Sequence, residues 1–195
     1  MKSLLKIITW LSLAAGLATV ASAAPETYAI DPVHSSVGFS VRHFVSKVPG
    51  TFSQFSGTIV FDKDNVENSH ADATIEVGSV TTANDKRDNH LKSPDFFDAA
   101  KFGAITFKST AWKKTGDDSY DVTGDLTIKD VTKSVVLKVT SLGFGPGMQG
   151  AQLSGWEAST TINRTDFGVV GPAMLQKMLG QDVAIAITIE ADLQP

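Results

Sequence analysis

The apolar residues of this chain recur with a period of two over most of its length. Val183, Ile185, Ile187 and Ile189 alternate with Ala184, Ala186, Thr188 and Glu190. Tyr120, Val122, Gly124, Leu126 and Ile128 alternate likewise with Asp121, Thr123, Asp125, Thr127 and Lys129. Neighbouring side chains of a strand point to opposite faces, so each such segment buries one face and wets the other. The same parity joins Val37, Phe39, Val41 and His43, and then Phe55, Gly57, Ile59 and Phe61. It recurs in Ile75 and Val77, Ile105 and Phe107, Val135, Leu137 and Val139, and in Trp156, Ala158 and Ile162. About eight or nine regularly spaced strands predict an all-β barrel or sandwich. Strands of about ten residues with short connections favour an up-and-down barrel, which leaves no free edge.

Parity places Phe39, Val41, Phe55, Ile59, Phe107, Leu126, Trp156 and Ile185 in the interior. A small barrel either fills with its own side chains or holds one ligand. Gly57, Gly124 and Ala158 among larger residues fit a cavity, and fit equally the relief of crowding at barrel corners. Turns are expected at Asp31-Pro32, which would end a first strand at Ile30, and at Pro49-Gly50, before one strand over 51–62. Others are expected at Gly116-Asp117-Asp118, at Lys129-Asp130 and across the glycine-rich stretch 143–150.

One long interruption, Ser79 to Thr110, separates two strands, and crossovers of this length are often functional. It holds Asp85, Lys86, Arg87, Asp88 and His90, then a helix-start signal with Ser93 as cap and Pro94 in the first turn. Phe96 and Phe97 give that turn apolar surface to bury. A second helix is expected over Pro172–Leu179, with Met174, Leu175, Met178 and Leu179 on one face and Gly180 closing it.

Residues 1–23 read as a cleaved secretory signal: Lys2 and Lys6, an apolar run over 7–20, then Ala21-Ser22-Ala23. The mature domain would run from 24 to 195 with a formal charge of about −6, in the periplasm. No later apolar stretch is long enough to span a bilayer, and the acidic balance without a basic run argues against nucleic acid. The chain has no cysteine, which excludes disulfides, thiol chemistry and cysteine metal sites.

The four histidines, His34, His43, His70 and His90, lack metal-ligand spacing. His43 ends an apolar face, as a core histidine or a polar contact inside a cavity; His34 can stabilise the Asp-Pro turn. No G-x-S-x-G accompanies the serines near His34. Arg87 and Asp88 read as a surface ion pair. Arg164, in Asn163-Arg164-Thr165-Asp166-Phe167-Gly168, either clamps an anionic head group with its planar fork or pairs with Asp166 to fasten its loop.

These residues together resemble the YceI-like family, whose members include polyisoprenoid-binding periplasmic proteins. The resemblance rests on Asp31-Pro32-Val33-His34-Ser35, Phe39-Ser40-Val41-Arg42-His43, Phe52-Ser53-Gln54-Phe55-Ser56-Gly57 and Arg87-Asp88-Asn89-His90-Leu91. It continues through Ser93-Pro94-Asp95-Phe96-Phe97-Asp98, Gly124-Asp125-Leu126-Thr127-Ile128 and Asn163 to Gly168, and departs at Gly103, where proline is expected.

The resemblance implies an extended, lipocalin-like antiparallel β-barrel of about eight strands with short helical insertions. Its long apolar cavity would hold a polyisoprenoid, quinone-type lipid or other long-chain amphiphile. It implies no catalytic residue, no metal and no cofactor beyond the bound lipid, and leaves open whether the chain forms a homodimer. Ligand contacts are expected from the interior set with His43, Met174 and Met178, the methionines acting as an adaptable lid. Arg87, His90 and Arg164 are the head-group candidates, with segments 85–98 and 164–179 near openings of the cavity. The alternative function is an enzyme acting on such a lipid with His43, His90 or Asp166 as acid or base.

Overall fold

Alternation at this length commits most of the chain to long strands, and a computed structural model, which describes residues 24–195, contains ten. They are β1 Glu26–His43, β2 Ser46–Phe52, β3 Phe55–Phe61, β4 His70–Glu76, β5 Val80–Thr81, β6 Ala104–Lys114, β7 Ser119–Ile128, β8 Val131–Pro146, β9 Gln152–Asn163 and β10 Leu179–Leu193. β2 and β3 are successive parts of one stave opposite β1, broken at Ser53-Gln54. β4 and β5 form the next stave, interrupted by a 3-10 turn over Val77–Ser79. Each stave pairs antiparallel with its neighbours in sequence, and β1 pairs β10 from Tyr28↔Leu193 to His43↔Leu179. The result is a closed eight-stranded up-and-down barrel.

Antiparallel order sorts the connections to two ends. Loops 62–69, 115–118 and 147–151 lie at one, with both ends of the described chain. There the Gln194 N–H donates to the Thr27 carbonyl at 2.8 Å. The two-residue turn 44–45, segment 82–103, turn 129–130 and segment 164–178 lie at the other.

The interior has two parts. At the first end Tyr28, Phe61, Trp112, Tyr120 and Trp156 are buried. Phe61 sits among the rings of Trp156 (centroids 5.0 Å), Phe144 (5.5 Å), Tyr120 (5.8 Å) and Trp112 (6.0 Å). Such stacked, tilted and edge-on pairs add about 0.5–1.5 kcal/mol each beyond area burial. The indoles stay satisfied through serines, Trp156 Nε1 donating to Ser154 Oγ (3.0 Å) and Trp112 Nε1 to Ser109 Oγ (3.3 Å). The second cluster, with Phe52, Val77, Val80, Phe96, Leu126, Ile162 and Phe167, lies toward the other end.

Several local expectations are corrected. β1 does not stop at Ile30 but passes Asp31-Pro32 through a bulge between Asp31 and Ser36, where proline's missing N–H is harmless. Pro49-Gly50 lies inside β2, since β5 reaches only Thr51 and Phe52 and leaves Pro49 at an unpaired edge. The strand expected over 51–62 is split, and the glycine-rich stretch is strand as far as Pro146. The first helix, α1, is Asp85–Lys92, capped by the Asn84 side chain accepting from the Arg87 N–H (3.0 Å); Ser93 closes it instead of opening it. The second, α2, is only Ala173–Gln176. The expected signal segment, 1–23, lies outside the described residues.

Candidate functional site: an apolar chamber with a polar rim

The strand faces turned inward do not fill the barrel. They enclose a cavity of about 390 Å³, inside the range of roughly 300–1,000 Å³ for small-molecule sites. Its wall is apolar: Phe39, Val41, Phe55, Ile59, Phe107, Leu126, Trp156 and Ile185 all line it. Trp112 and Trp156, backed by the ring cluster, close one end. Thr82, Arg87, His90, His43 and Arg164 are grouped around the other.

Two glycines explain part of the space. A Cβ on Gly50 would sit 2.3 Å from the Phe39 ring, and one on Gly124 would sit 2.4 Å from the Phe107 ring. Each ring lies over a glycine on the adjacent strand instead of standing across the lumen. Gly57 serves the other purpose open to small residues, since its Cβ would lie 2.3 Å from the Asp72 carbonyl oxygen of β4. Both expectations for the small residues are met, at different positions.

The other end, open only in that no ring cluster fills it, is covered by two segments held by hydrogen bonds. Asp88, buried within the polar helix α1, accepts from the Thr82 N–H (2.8 Å) and from the Thr82 hydroxyl. The Thr82 hydroxyl chiefly holds the Asp88 carboxyl below the ordinary aspartate range, against the opposing effect of burial. Arg87 donates through Nε to Thr82 Oγ1 (2.7 Å) and through Nη2 to the Thr82 carbonyl (2.9 Å). His90 Nε2 meets Asp95 Oδ2 at 2.8 Å, its ring edge-on to Phe96. Segment 164–178 is fastened to this one: the Gly171 N–H donates to the Asp95 carbonyl (3.0 Å). Lys129 Nζ bridges the carbonyls of Phe96 (3.1 Å) and Gly168 (3.3 Å).

Arg164 is buried and spends its guanidinium on backbone carbonyls: Gly180 (2.8 Å), Val169 (2.7 Å), Val170 (2.6 Å) and Leu179 (3.5 Å). Burial makes it hold its proton less tightly than a free arginine. It braces the loop, though not by the expected pairing with Asp166, which is exposed and absent from the chamber wall. Arg87 is likewise a brace rather than a surface ion pair with Asp88, its donors going to Thr82. His34 steadies the bulge that replaces the expected turn, Nδ1 meeting Asp31 Oδ2 at 2.6 Å, with Glu190 of β10 at 3.5 Å.

The methionine lid is corrected. Met174 is 79% exposed, and neither it nor Met178 lines the chamber; Leu175 and Leu179 do. The interior list also omits Leu91, Phe96, Phe97 and Trp112. Trp112 escapes parity because a bulge between Ser109 and Ala111 shifts β6 by one residue, turning an even-numbered side chain inward. The phenylalanines carry the signal already noted, an apolar pair within a polar crossover. Segments 85–98 and 164–179 both cover the same end of the barrel, the one opposite the ring cluster.

Similarity to known proteins agrees with this architecture. Residues 28–191 match the family model described as YceI-like domain. The protein YceI of Escherichia coli is 38% identical over 191 residues, covering 95% of this chain and 96% of its own. The crystal structure of Burkholderia cenocepacia BcnA superposes with a TM-score of 0.76 at 26% identity, covering 83% of this chain and 99% of that one. A polyisoprenoid-binding domain from Saccharophagus degradans, implicated in plant cell wall breakdown, gives a TM-score of 0.67 over 86% of this chain and 98% of that one; at 15% identity the likeness shows the fold alone. Closed barrel and matching sequence lead to one assignment: the chain belongs to the YceI-like family.

Proposed function

We propose that this protein binds a long-chain amphiphile, a polyisoprenoid or quinone-type lipid, and carries or stores it without altering it. The observation behind this reading is the chamber itself: a largely apolar tube closed at one end by rings, with Arg87, His90, His43 and Arg164 at the other. Each CH₂ taken out of water contributes about 0.8 kcal/mol, so one five-carbon unit gives roughly 4 kcal/mol gross. Micromolar binding requires about −8 kcal/mol net, so a few buried units suffice after ordering entropy is subtracted. Such a tube grips a chain firmly and discriminates its length poorly. The naming of the Saccharophagus degradans domain for polyisoprenoid binding supports the same class of ligand.

In this reading residues 1–23 direct export and are removed, and the domain from 24 onward works in the periplasm. Native mass spectrometry of the exported protein, followed by solvent extraction, tests both parts. The expected result is an intact mass beginning at Ala24 and a bound lipid recovered chemically unchanged. A protein free of lipid that gains none on incubation with polyprenols or quinones would reject the ligand class. Recovery of a chemically altered lipid would instead favour an enzyme.

A further inference from the structure

The open end carries large apolar side chains that the chamber does not use. Phe44 and Val45, the whole of the β1–β2 turn, are 56% and 96% exposed, and Met174 on α2 is 79% exposed. The turn and the α2 segment are neighbours, since the Phe44 N–H donates to the Met178 carbonyl at 2.9 Å. Phe44 has a φ of 49°, a region that bulky residues seldom occupy. The Arg42 side chain steadies it, Nε donating to the Phe44 carbonyl at 2.9 Å. Phe44 packs edge-on against the His43 ring at 4.8 Å, yet apolar side chains left this exposed together mark an interaction surface.

Their surroundings are basic. Arg42 and Lys47 flank the turn and Lys177 follows α2; among the described residues none of the three pairs with a carboxylate. The same end also carries Asp85, Asp95, Asp98, Asp130, Asp166 and Asp182 on its other segments, so the unpaired cations are concentrated in the sector of the tip and α2, in a chain whose formal charge is −4. The opposite end has exposed apolar residues too, Leu142 and Met148. There the loops and strand ends carry Glu26, Asp62, Asp64, Asp117, Asp118 and Asp192 beside Lys113 and Lys114, and Lys63 is paired with Glu26 at 2.7 Å.

We propose that the rim docks on an anionic phospholipid bilayer. Phe44, Val45 and Met174 enter the head-group layer while Arg42, Lys47 and Lys177 meet the lipid phosphates. An apolar tip with adjacent cations is the arrangement by which a soluble domain gains affinity for such a surface. His43 and Val41, next to the tip in sequence, line the chamber, so docking sets the mouth against the lipid. The proposal rests on the lipid-chamber reading for its purpose, but vesicles lacking isoprenoid test it separately.

The absence of native cysteine permits Val45→Cys and Met148→Cys, each labelled with an environment-sensitive fluorophore. These are mixed with phosphatidylcholine vesicles containing roughly a third phosphatidylglycerol, or none. The expected result is a blue shift at position 45 only, with anionic vesicles only, and weakened by salt. By co-sedimentation, Phe44→Ser with Met174→Gln should lose about tenfold in vesicle affinity. Lys47→Gln with Lys177→Gln should lose up to about thirtyfold at low salt and flatten the salt dependence. Leu142→Ser with Met148→Ser should bind like the parent. Equal shifts at both positions, or no shift at position 45, would overturn the proposal; the second is also what a protein partner for this rim would give. Failure here with lipid still present in the chamber leaves the ligand reading standing.

Discussion

At one end of the barrel Tyr28, Phe61, Trp112, Tyr120, Phe144 and Trp156 pack ring against ring. At the other, Thr82, Asp88, Arg87, Asp95, Lys129 and Arg164 fasten two loop segments through hydrogen bonds to backbone and to one another. The strand pairing is the same at both, so the difference lies in what each end must leave empty. Rings seal by occupying volume. Arginine and lysine reaching for carbonyls hold a cover in place without putting bulk into the lumen. The closed end should therefore dominate stability, while the open end should govern exchange of ligand.

The largest blow to the closed end is Trp156→Ala. Loss of a side chain 2% exposed within that cluster should cost about 3–5 kcal/mol, read as a lower urea midpoint with unchanged slope. A loss under 1 kcal/mol would mean the rings are dispensable. At the open end Arg164→Met should cost about 3 kcal/mol, because it strands buried carbonyls. Affinity should then fall equally for anionic and neutral lipids of one chain length. A loss confined to the anionic lipid would make Arg164 a reader of charge.

A finer test separates the two sides of α2. Leu175→Ala should speed lipid release at a stability cost of about 1 kcal/mol, while Met174→Ala should leave both within about 0.5 kcal/mol of the parent. Between the ends, Gly50→Ala should swing the Phe39 ring into the lumen. Its stability cost should be about 1 kcal/mol, but native mass spectra should show shorter or fewer bound chains.

The smallest effect is on acid tolerance. The Asp88 carboxyl is held below its ordinary range, so its contribution is fully present above about pH 4 and is lost as pH falls through the depressed value. Asp88→Asn should flatten the acid limb of the Tm curve and speed release at neutral pH. Asp62, held low chiefly by the Asn68 side chain at the closed end, should flatten the limb when changed to Asn but leave release untouched.

Parity made the barrel legible because a one-residue slip would turn every Val and Ile of a stave outward. It failed where a bulge resets the count, so Trp112 was hidden although Phe107 was not. The helix in the crossover was misplaced for a related reason. α1 buries Asp88 rather than an apolar stripe, and without periodicity the Ser93-Pro94 signal outweighed the real cap at Asn84. Arg164 was legible as a candidate brace, but with Asp166 as its expected partner. Its partners are main-chain carbonyls of 169, 170, 179 and 180, which no side-chain pattern announces. The methionines misled because a four-residue helix turns only part of the expected face inward.

The bond between Gln194 and Thr27 also decides how this molecule can be handled. Both described chain ends emerge from the base of a cup whose brim lies a whole stave away, and the 15 residues of β10 amount to about 50 Å of extended chain. A bead, a sensor chip or a fused partner joined to either end grips the base. Every captured copy then presents its brim outward, free to meet lipid, and the two ends can share one tether without crossing the opening.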